Sequence, residues 1–324
     1  IGLTGTPIEN NLLELKALFD VVLPGYMPTE TVYKELFVNP IEKQQDQERK
    51  KLLSRLIEPF LLRRKKSEVL LELPEKVETI SYAPLSDEQK KLYQEVFDAS
   101  REELYKELND SSKPVPYMHV FALLTKLKQI CDHPALYLNQ VADYTHHTSG
   151  KWDLFTELLQ ETRASGQKLV VFSQYLGMLD IIESYLQSEK IGYSSIRGST
   201  RDRKEQVMRF RDDPKCEVFV GSLQAAGVGI DLISASVVIH YDRWWNPAKE
   251  NQATDRVHRM GQSRGVQVFK LVTRGTLEEH IHRLIEKKLT LIEDVIGYDD
   301  QSELKTLSRD DLIQLLQIIE ESSV

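Results

Sequence analysis

From Lys151 onward the chain alternates short, unbroken apolar runs with longer amphipathic stretches, and few folds accept that rhythm. The runs are KLVVFS, YSSIRG, EVFVGS, SVVIHYD and VQVFKLV; between and after them stand QYLGMLDIIESYL, TRDRKEQVMRFRDD and PAKENQATDRVHRM. A strand that is apolar at successive positions needs cover on both faces, so the pattern predicts an α/β fold, a parallel sheet with helices on both sides. Ligands of such sheets bind beyond the carboxyl ends of the strands. SQ after Phe172, GS after Val220 and DRWWNP after Tyr241 fall in that zone.

The preceding residues read differently. Up to about residue 80 the pattern is mostly helical: NNLLELKALFDVV stops at Pro24 and Gly25, and ERKKLLSRLIEPFLLRRKKSEVLLEL is broken at Pro59 and ends before Pro74. KVETISYAPL alternates as a strand or an extended linker. From about residue 86 to 145 the pattern is helical again, opened by Ser86 and Gln89 at capping-box spacing, interrupted by SSKPVPY and resumed by HVFALLTKLKQICDHPAL. This stretch reads as an insertion of helices rather than an independent catalytic domain. After Lys288, KLTLIEDVIGYDD leads to a last helix capped at Ser308. The expected divisions are 1–80, 81–148, 149–290 and 291–324, the third holding the sheet.

With 324 residues the chain can build two ordinary domains. Hydrophobic residues at 41% and charged residues at 28% fit a soluble globular protein, and no apolar run approaches a membrane span. Cys131 and Cys216 are too few for a disulfide framework or a zinc cluster, which predicts an intracellular protein. The formal charge of −8 argues against coating nucleic acid by bulk attraction, yet leaves a local basic track open. Because the chain starts at Ile1, inside IGLTGTPIENN, we expect a piece of a longer protein.

Gln252, Arg256 and Arg259 stand four and then three residues apart, which puts them on one face of a continuous helix. Asn246 suits its N-cap and Pro247 its first turn. Ala253, Val257 and Met260 then form the core stripe, with the polar trio roughly 100° round from it. Such a face is either a solvated helix surface or an anion grip at a rim. In SLQAAGVGIDL, Gly227 and Gly229 frame a turn with Asp231 behind it. The glycines permit close approach of backbone to a ribose or phosphate, and the carboxylate can accept from a sugar hydroxyl; a routine strand-end turn is the alternative. Thr4 and Thr6 around Gly5 either relay hydrogen bonds toward a phosphate or cap the helix near Pro7. His133 in CDHPAL reads as a packing or capping histidine and Cys131 as an inert core thiol. RRKK at 63–66 is a solvated run or a phosphate contact.

A nucleotide motor needs a GxxxxGK[ST] loop and an acidic pair for magnesium, and neither stands here. TSGKWD at 148–153 has Thr145 where the first glycine belongs and Trp152 after the lysine. SDEQKK at 86–91 opens an amphipathic helix and follows no buried strand.

LTGTPIEN, PFLLRRKKSEVLLELPEK, LKQICDHPAL, VVFSQY, IRGSTRDRK, SLQAAGVGIDLISAS, YDRWWNP and QATDRVHRMGQ stand in the order found in the SWI/SNF-type ATPases. From Ile1 to about residue 320 the chain resembles that family of helicase superfamily two. The resemblance implies a split motor: two RecA-like lobes, ATP with Mg2+ in the cleft between them, and duplex DNA across both. Residues 1–80 then look like the end of lobe one, from its third motif, with a first helical protrusion. Residues 81–148 look like a linker and second protrusion, 149–290 like lobe two, and 291–324 like a C-terminal helical extension. The phosphate loop and the metal ligands are expected upstream, in an N-terminal RecA-like lobe of the same protein.

By the same resemblance, Arg256 and Arg259 are arginine fingers positioned by Gln252, and Gly227, Gly229 and Asp231 lie near the nucleotide. Thr4, Gly5 and Thr6 couple the ATP and DNA sites. Ser173, Gln174, Gly198, Ser199, Thr200, Ser222 and Trp244 line the DNA track. Arg197 and Arg201 stand where the family often has an acidic residue and a proline, and are expected to add positive charge there. The implied function is the C-terminal motor half of an ATPase that translocates on duplex DNA and remodels a DNA-bound protein cargo. The chain alone is expected to be inactive. One rival is a non-catalytic DNA- or protein-binding regulatory module; the other is an RNA-directed motor, against which DRWWNP and the helical insertion speak. The compact ending suggests a bacterial or archaeal member, cytoplasmic and nucleoid-associated, or nuclear if eukaryotic, with no membrane partner.

Overall fold

Strands built from unbroken apolar runs need cover on both sides, and the central ones have it. The computed structural model describes residues 12–43, 46–60, 62, 72–110, 112, 114–223, 229–244, 247–282, 312–313 and 316–317. The chain divides into two units, residues 1–71 with 287–303 and residues 72–286 with 304–324. Thr4, Gly5, Thr6, Gly227, the RRKK run and Ser308 lie outside the described residues.

In the first unit, α1 (Leu12–Val22) turns Leu12, Leu15 and Phe19 into a core shared with Leu53 and Ile57 of α2 (Gln47–Ile57). The carboxylate of Asp46 caps α2 by accepting the amides of Glu48 at 2.9 Å and Arg49 at 3.1 Å. Pro59 then bends Glu58–Phe60 into a tight 3₁₀ turn.

The second unit holds a six-stranded, wholly parallel sheet in the order β1-β6-β5-β2-β4-β3. The strands are β1 (Lys76–Ala83), β2 (Leu169–Ser173), β3 (Gly192–Ile196), β4 (Cys216–Ser222), β5 (Val237–His240) and β6 (Val266–Thr273). The expected boundary at residue 80 falls inside β1. That alternating segment is a full edge strand, paired in register from Lys76↔Val266 to Ala83↔Thr273. Lys270 of β6 reinforces the pairing by reaching Glu78 at 2.6 Å.

Alternate residues of each strand feed opposite faces. Leu169, Val171, Val218, Val220 and Ile239 pack under α5 (Gly150–Ala164) and α6 (Leu176–Ser188). Val170, Phe172, Phe219, Val238 and Val268 meet Phe210 of α7 (Arg203–Asp212) and Ala253 of α8 (Pro247–Thr254). The helical insertion is α3 (Asp87–Asn109) and α4 (Tyr117–Asp132), whose core also takes in Leu277, Ile281, Leu312 and Leu316. Ser86 and Gln89 form the expected capping box. The Gln89 amide also donates to the carbonyls of Ile130 at 2.7 Å and Cys131 at 3.0 Å, so one side chain closes the start of α3 and the end of α4. Among the described residues no helix is long and apolar enough to cross a membrane.

The helix expected over 247–260 stops at Thr254. The amides of Arg256 and Val257 turn back to Ala253 and Thr254 in 3₁₀ fashion, and the Arg256 carbonyl is taken by the distant amide of Leu232 at 2.9 Å. A tertiary donor thus captures a carbonyl that the next helical turn would need. Val257 is buried as expected, but Met260, assigned to the core stripe, is 72% exposed.

Candidate functional site

The described candidate residues gather at opposite edges of the sheet. The amino edge, where strands begin, carries Asp231, Arg256 and Arg259. Its position follows from backbone bonds: Val266 N–H donates to Glu75 just before β1, and Ser236 N–H to Lys168 just before β2. Beyond α8 the chain runs through turns, with Arg256 and Arg259 half-buried. These turns are fastened by the Leu232–Arg256 bond and by Gln262, whose Nε2 reaches the carbonyls of Ile233 at 3.1 Å and Ala235 at 2.8 Å. His258 contacts the Pro74 carbonyl at 2.8 Å. Gly261 has φ +99°, a conformation that disfavours any side chain, and a Cβ there would meet Ile233 at 3.3 Å. Gly229 is exposed at φ +41° with no atom within 4 Å of where a Cβ would stand, and Asp231 behind it is exposed. One Asp231 carboxylate oxygen accepts the Ile233 amide of its own loop at 3.4 Å. Gln252, on α8 rather than on a face continuous with the arginines, is half-buried.

The carboxyl edge carries the other set. Beyond β5, the buried Asp242 accepts from the Ser173 hydroxyl and from the Gln174 backbone N–H at 3.2 Å. Next to it, Arg243 donates to Glu250 at 3.0 Å and to His282 at 2.6 Å, all three buried. The Arg243 carbonyl accepts Lys128 Nζ, from α4, at 2.7 Å. The Trp244 amide donates to Glu250 at 2.8 Å, and its ring packs in the core. Below the loop, Lys151 is fully enclosed, 2.8 Å from Asp132 and 2.6 Å from Glu278. The lysine of TSGKWD is therefore a core ion-pair residue.

Burial raises Asp132 and Asp242 above the ordinary carboxylate range, partly offset by Lys151 and Lys128 respectively. Burial also acts against Glu250, but Arg243, His240 and Lys270 outweigh it and hold that carboxyl low.

Ser173 is enclosed with its hydroxyl given to Asp242, and Ser222 is buried. Gly198 and Ser199 are exposed, with Thr200 and Gln174 half-buried. The Gly198–Thr200 loop is braced from α7: the Arg203 guanidinium donates to the carbonyls of Thr200 at 3.2 Å and Gly198 at 3.1 Å. Arg197 does not add free charge beside this loop, because Asp180 at 2.6 Å and Glu183 at 2.7 Å neutralise it. His133 caps a short helix, its Nδ1 accepting the Ala135 amide at 3.3 Å, and burial lowers it to about 4. Cys131 is a buried thiol that burial holds protonated. Sequence reasoning missed Gln262, Lys128 and Arg243. Arg243 stood in the DRWWNP stretch, and Lys128 and Gln262 were polar residues embedded in LTKLKQ and MGQ, which have no period.

A model described as SNF2-related domain matches residues 1–136, and one described as helicase conserved C-terminal domain matches residues 150–261. A Bacillus subtilis protein carrying the name of an ATP-dependent helicase/translocase, YwqA, is 40% identical over 97% of this chain and 34% of its own length. The chain thus spans about a third of the length of the curated relatives it matches. The Sulfolobus solfataricus SWI2/SNF2 ATPase core in complex with dsDNA is 35% identical with a TM-score of 0.60, over 97% of this chain and 65% of that one. The C-terminal domain of the Sulfolobus solfataricus SWI2/SNF2 ATPase is 31% identical with a TM-score of 0.57, over 75% of this chain and 99% of that one. With its parallel α/β sheet and these relatives, the chain belongs to the SNF2-type ATPases of helicase superfamily two.

Proposed function

We propose that this chain is the C-terminal motor half of an ATP-dependent duplex-DNA translocase or remodeller, and that its amino edge supplies the arginine fingers. One observation carries this: the turn bearing Arg256 and Arg259 is fastened to the loop bearing Asp231, so cations, carboxylate and open backbone move as one piece. ATP with Mg2+, when bound, supplies the phosphoryl group and neutralises part of its charge. Its phosphate loop and metal ligands are assigned to an N-terminal lobe outside these 324 residues. The planar, five-donor guanidinium of Arg259 binds equatorial phosphate oxygens as charge spreads over them, with Arg256 beside it and Gln252 in support. Gly227 and Gly229 admit the nucleotide, and Asp231 accepts from its sugar. Because the fingers and the phosphate loop belong to different lobes, hydrolysis requires closure, and closure becomes the mechanical step.

At the carboxyl edge, the exposed Gly198 and Ser199, with the Thr200 hydroxyl and the Gln174 side chain, are the groups offered to phosphates, which position a duplex without reading sequence. Ser173, Ser222 and Trp244 support this track from behind, and Thr4, Gly5 and Thr6 relay between it and the nucleotide. The duplex is favoured as the track because a 35% identical archaeal relative is described with dsDNA. A bacterial relative favours a cytoplasmic, nucleoid-associated setting. In the complete protein, Arg259→Ala should cut DNA-stimulated hydrolysis by about three to five powers of ten while ATP still binds. Native turnover with weakened ATP affinity would remove the finger assignment.

A further inference from the structure

We propose that Gln262 is the positioning residue of the arginine-bearing turn, a role that rests on the assignment of Arg259 to hydrolysis. The residue is 7% exposed, and both ends of its amide make contacts. The two N–H groups of Nε2 are shared among the carbonyls of Ile233 at 3.1 Å, Ala235 at 2.8 Å and Val257 at 3.1 Å. Oε1 accepts the backbone N–H groups of Ser263 and Arg264, each at 3.0 Å. All these partners demand one orientation: exchanging oxygen and nitrogen would face acceptors with an acceptor and donors with donors.

The partners define what the amide does. Ile233 and Ala235 belong to the loop that follows Asp231, Val257 to the turn between the two arginines, and Ser263 and Arg264 to the approach to β6. One side chain thus fixes the Asp231 loop to the chain on both sides of Arg259. The Gln262 backbone N–H also donates to the Arg259 carbonyl at 3.0 Å, closing a turn around the arginine itself. Gly261, with φ +99°, lets this turn send Gln262 inward while Met260 points out. Glutamate would keep the acceptor and lose both donors, and methionine would keep the length and lose both functions. The helical continuation that would have carried Arg259 ends at Thr254, so the arginine's place is set by the turn that this amide, the His258–Pro74 contact and the Leu232–Arg256 bond hold together.

The test uses the complete protein with duplex DNA, comparing Gln262→Glu, Gln262→Met, Arg259→Ala and, as an exposed neighbour, Met260→Ala. Steady-state hydrolysis and amide hydrogen exchange are both measured. For the two Gln262 variants, kcat should fall about ten- to a hundredfold, the loss expected of a displacement near 1 Å, with KM for ATP held within about twofold. The Leu232 amide, bonded to the Arg256 carbonyl, should exchange faster while the Val238 amide of β5 stays protected. Met260→Ala should match the native protein. Native kcat together with native Leu232 protection in Gln262→Met overturns the proposal. So does loss of Val238 protection in both Gln262 variants, since the amide would then hold the whole unit rather than the turn. If Arg259→Ala keeps native turnover, the finger assignment fails, and the exchange pattern still decides whether Gln262 holds this turn.

Discussion

At the carboxyl edge of the sheet the buried Lys151 pairs with Asp132 and Glu278, the buried Arg243 pairs with Glu250, and the buried Asp242 accepts from Ser173 and Gln174. At the amino edge, Arg256 and Arg259 sit half-buried on turns held by backbone bonds and by the side chains of Gln262 and His258. A buried charge must be paired, so a closed ionic edge fixes where a loop stands but has little charge left for a ligand. The turns of the amino edge are fastened by hydrogen bonds from the Leu232 amide and the Gln262 side chain. The same sheet thus has one edge fastened by buried ions and another, bearing Arg256 and Arg259, that we assign to hydrolysis.

The strongest way to break that contrast is Lys151→Met. It leaves Asp132 and Glu278 buried without their cation and should lower unfolding stability by about 3–5 kcal/mol, read from the denaturant midpoint. A loss below about 1 kcal/mol would show that the carboxyl edge is not held by its ions. Acid sharpens the contrast next. Burial lowers both His133 and His240 to about 4, from an ordinary 6.5, so the fold keeps them neutral. Folded values below unfolded ones mean full stability above about pH 6.5 and loss as pH falls toward 4, where the unfolded chain gains protons the fold refuses. The melting temperature should therefore fall across that window, and His240→Gln should flatten the fall. The smallest effect concerns the proposed track. Arg197 is spent on Asp180 and Glu183, so Arg197→Gln should leave the salt dependence of duplex binding unchanged. Arg201→Gln, at an exposed residue, should lower that slope by about 1. Equal effects of the two would mean that the ion pairs open on DNA.

The sheet was legible because its signal is local: runs such as LVVF state their own burial, and Ser86 with Gln89 states its own cap. The helices α3 and α4 were legible for the same reason. The arginine turn was not. Spacing puts Gln252, Arg256 and Arg259 on one helical face, but the amide of Leu232, from another segment, captures the Arg256 carbonyl and ends the helix. Met260 was misplaced as a consequence. Arg197 looked like added positive charge because its neutralising carboxylates stand on α6, which no spacing rule connects to it. Lys151 looked like a failed phosphate lysine because Glu278, its partner, comes from beyond β6. In each case the deciding partner is distant along the chain, and single-sequence periodicity carries no such term.

Transition-state complementarity gives the most direct test of the reactive edge. In the complete protein with duplex DNA, the affinities for ADP alone and for ADP with aluminium fluoride, which mimics the transferring phosphate, should be measured before and after Arg259→Ala. An arginine that acts on the transferring group should lose at least about a hundredfold in analogue affinity while ADP affinity changes less than about twofold. Equal losses for both ligands, or none for either, would contradict the assignment of this edge to hydrolysis.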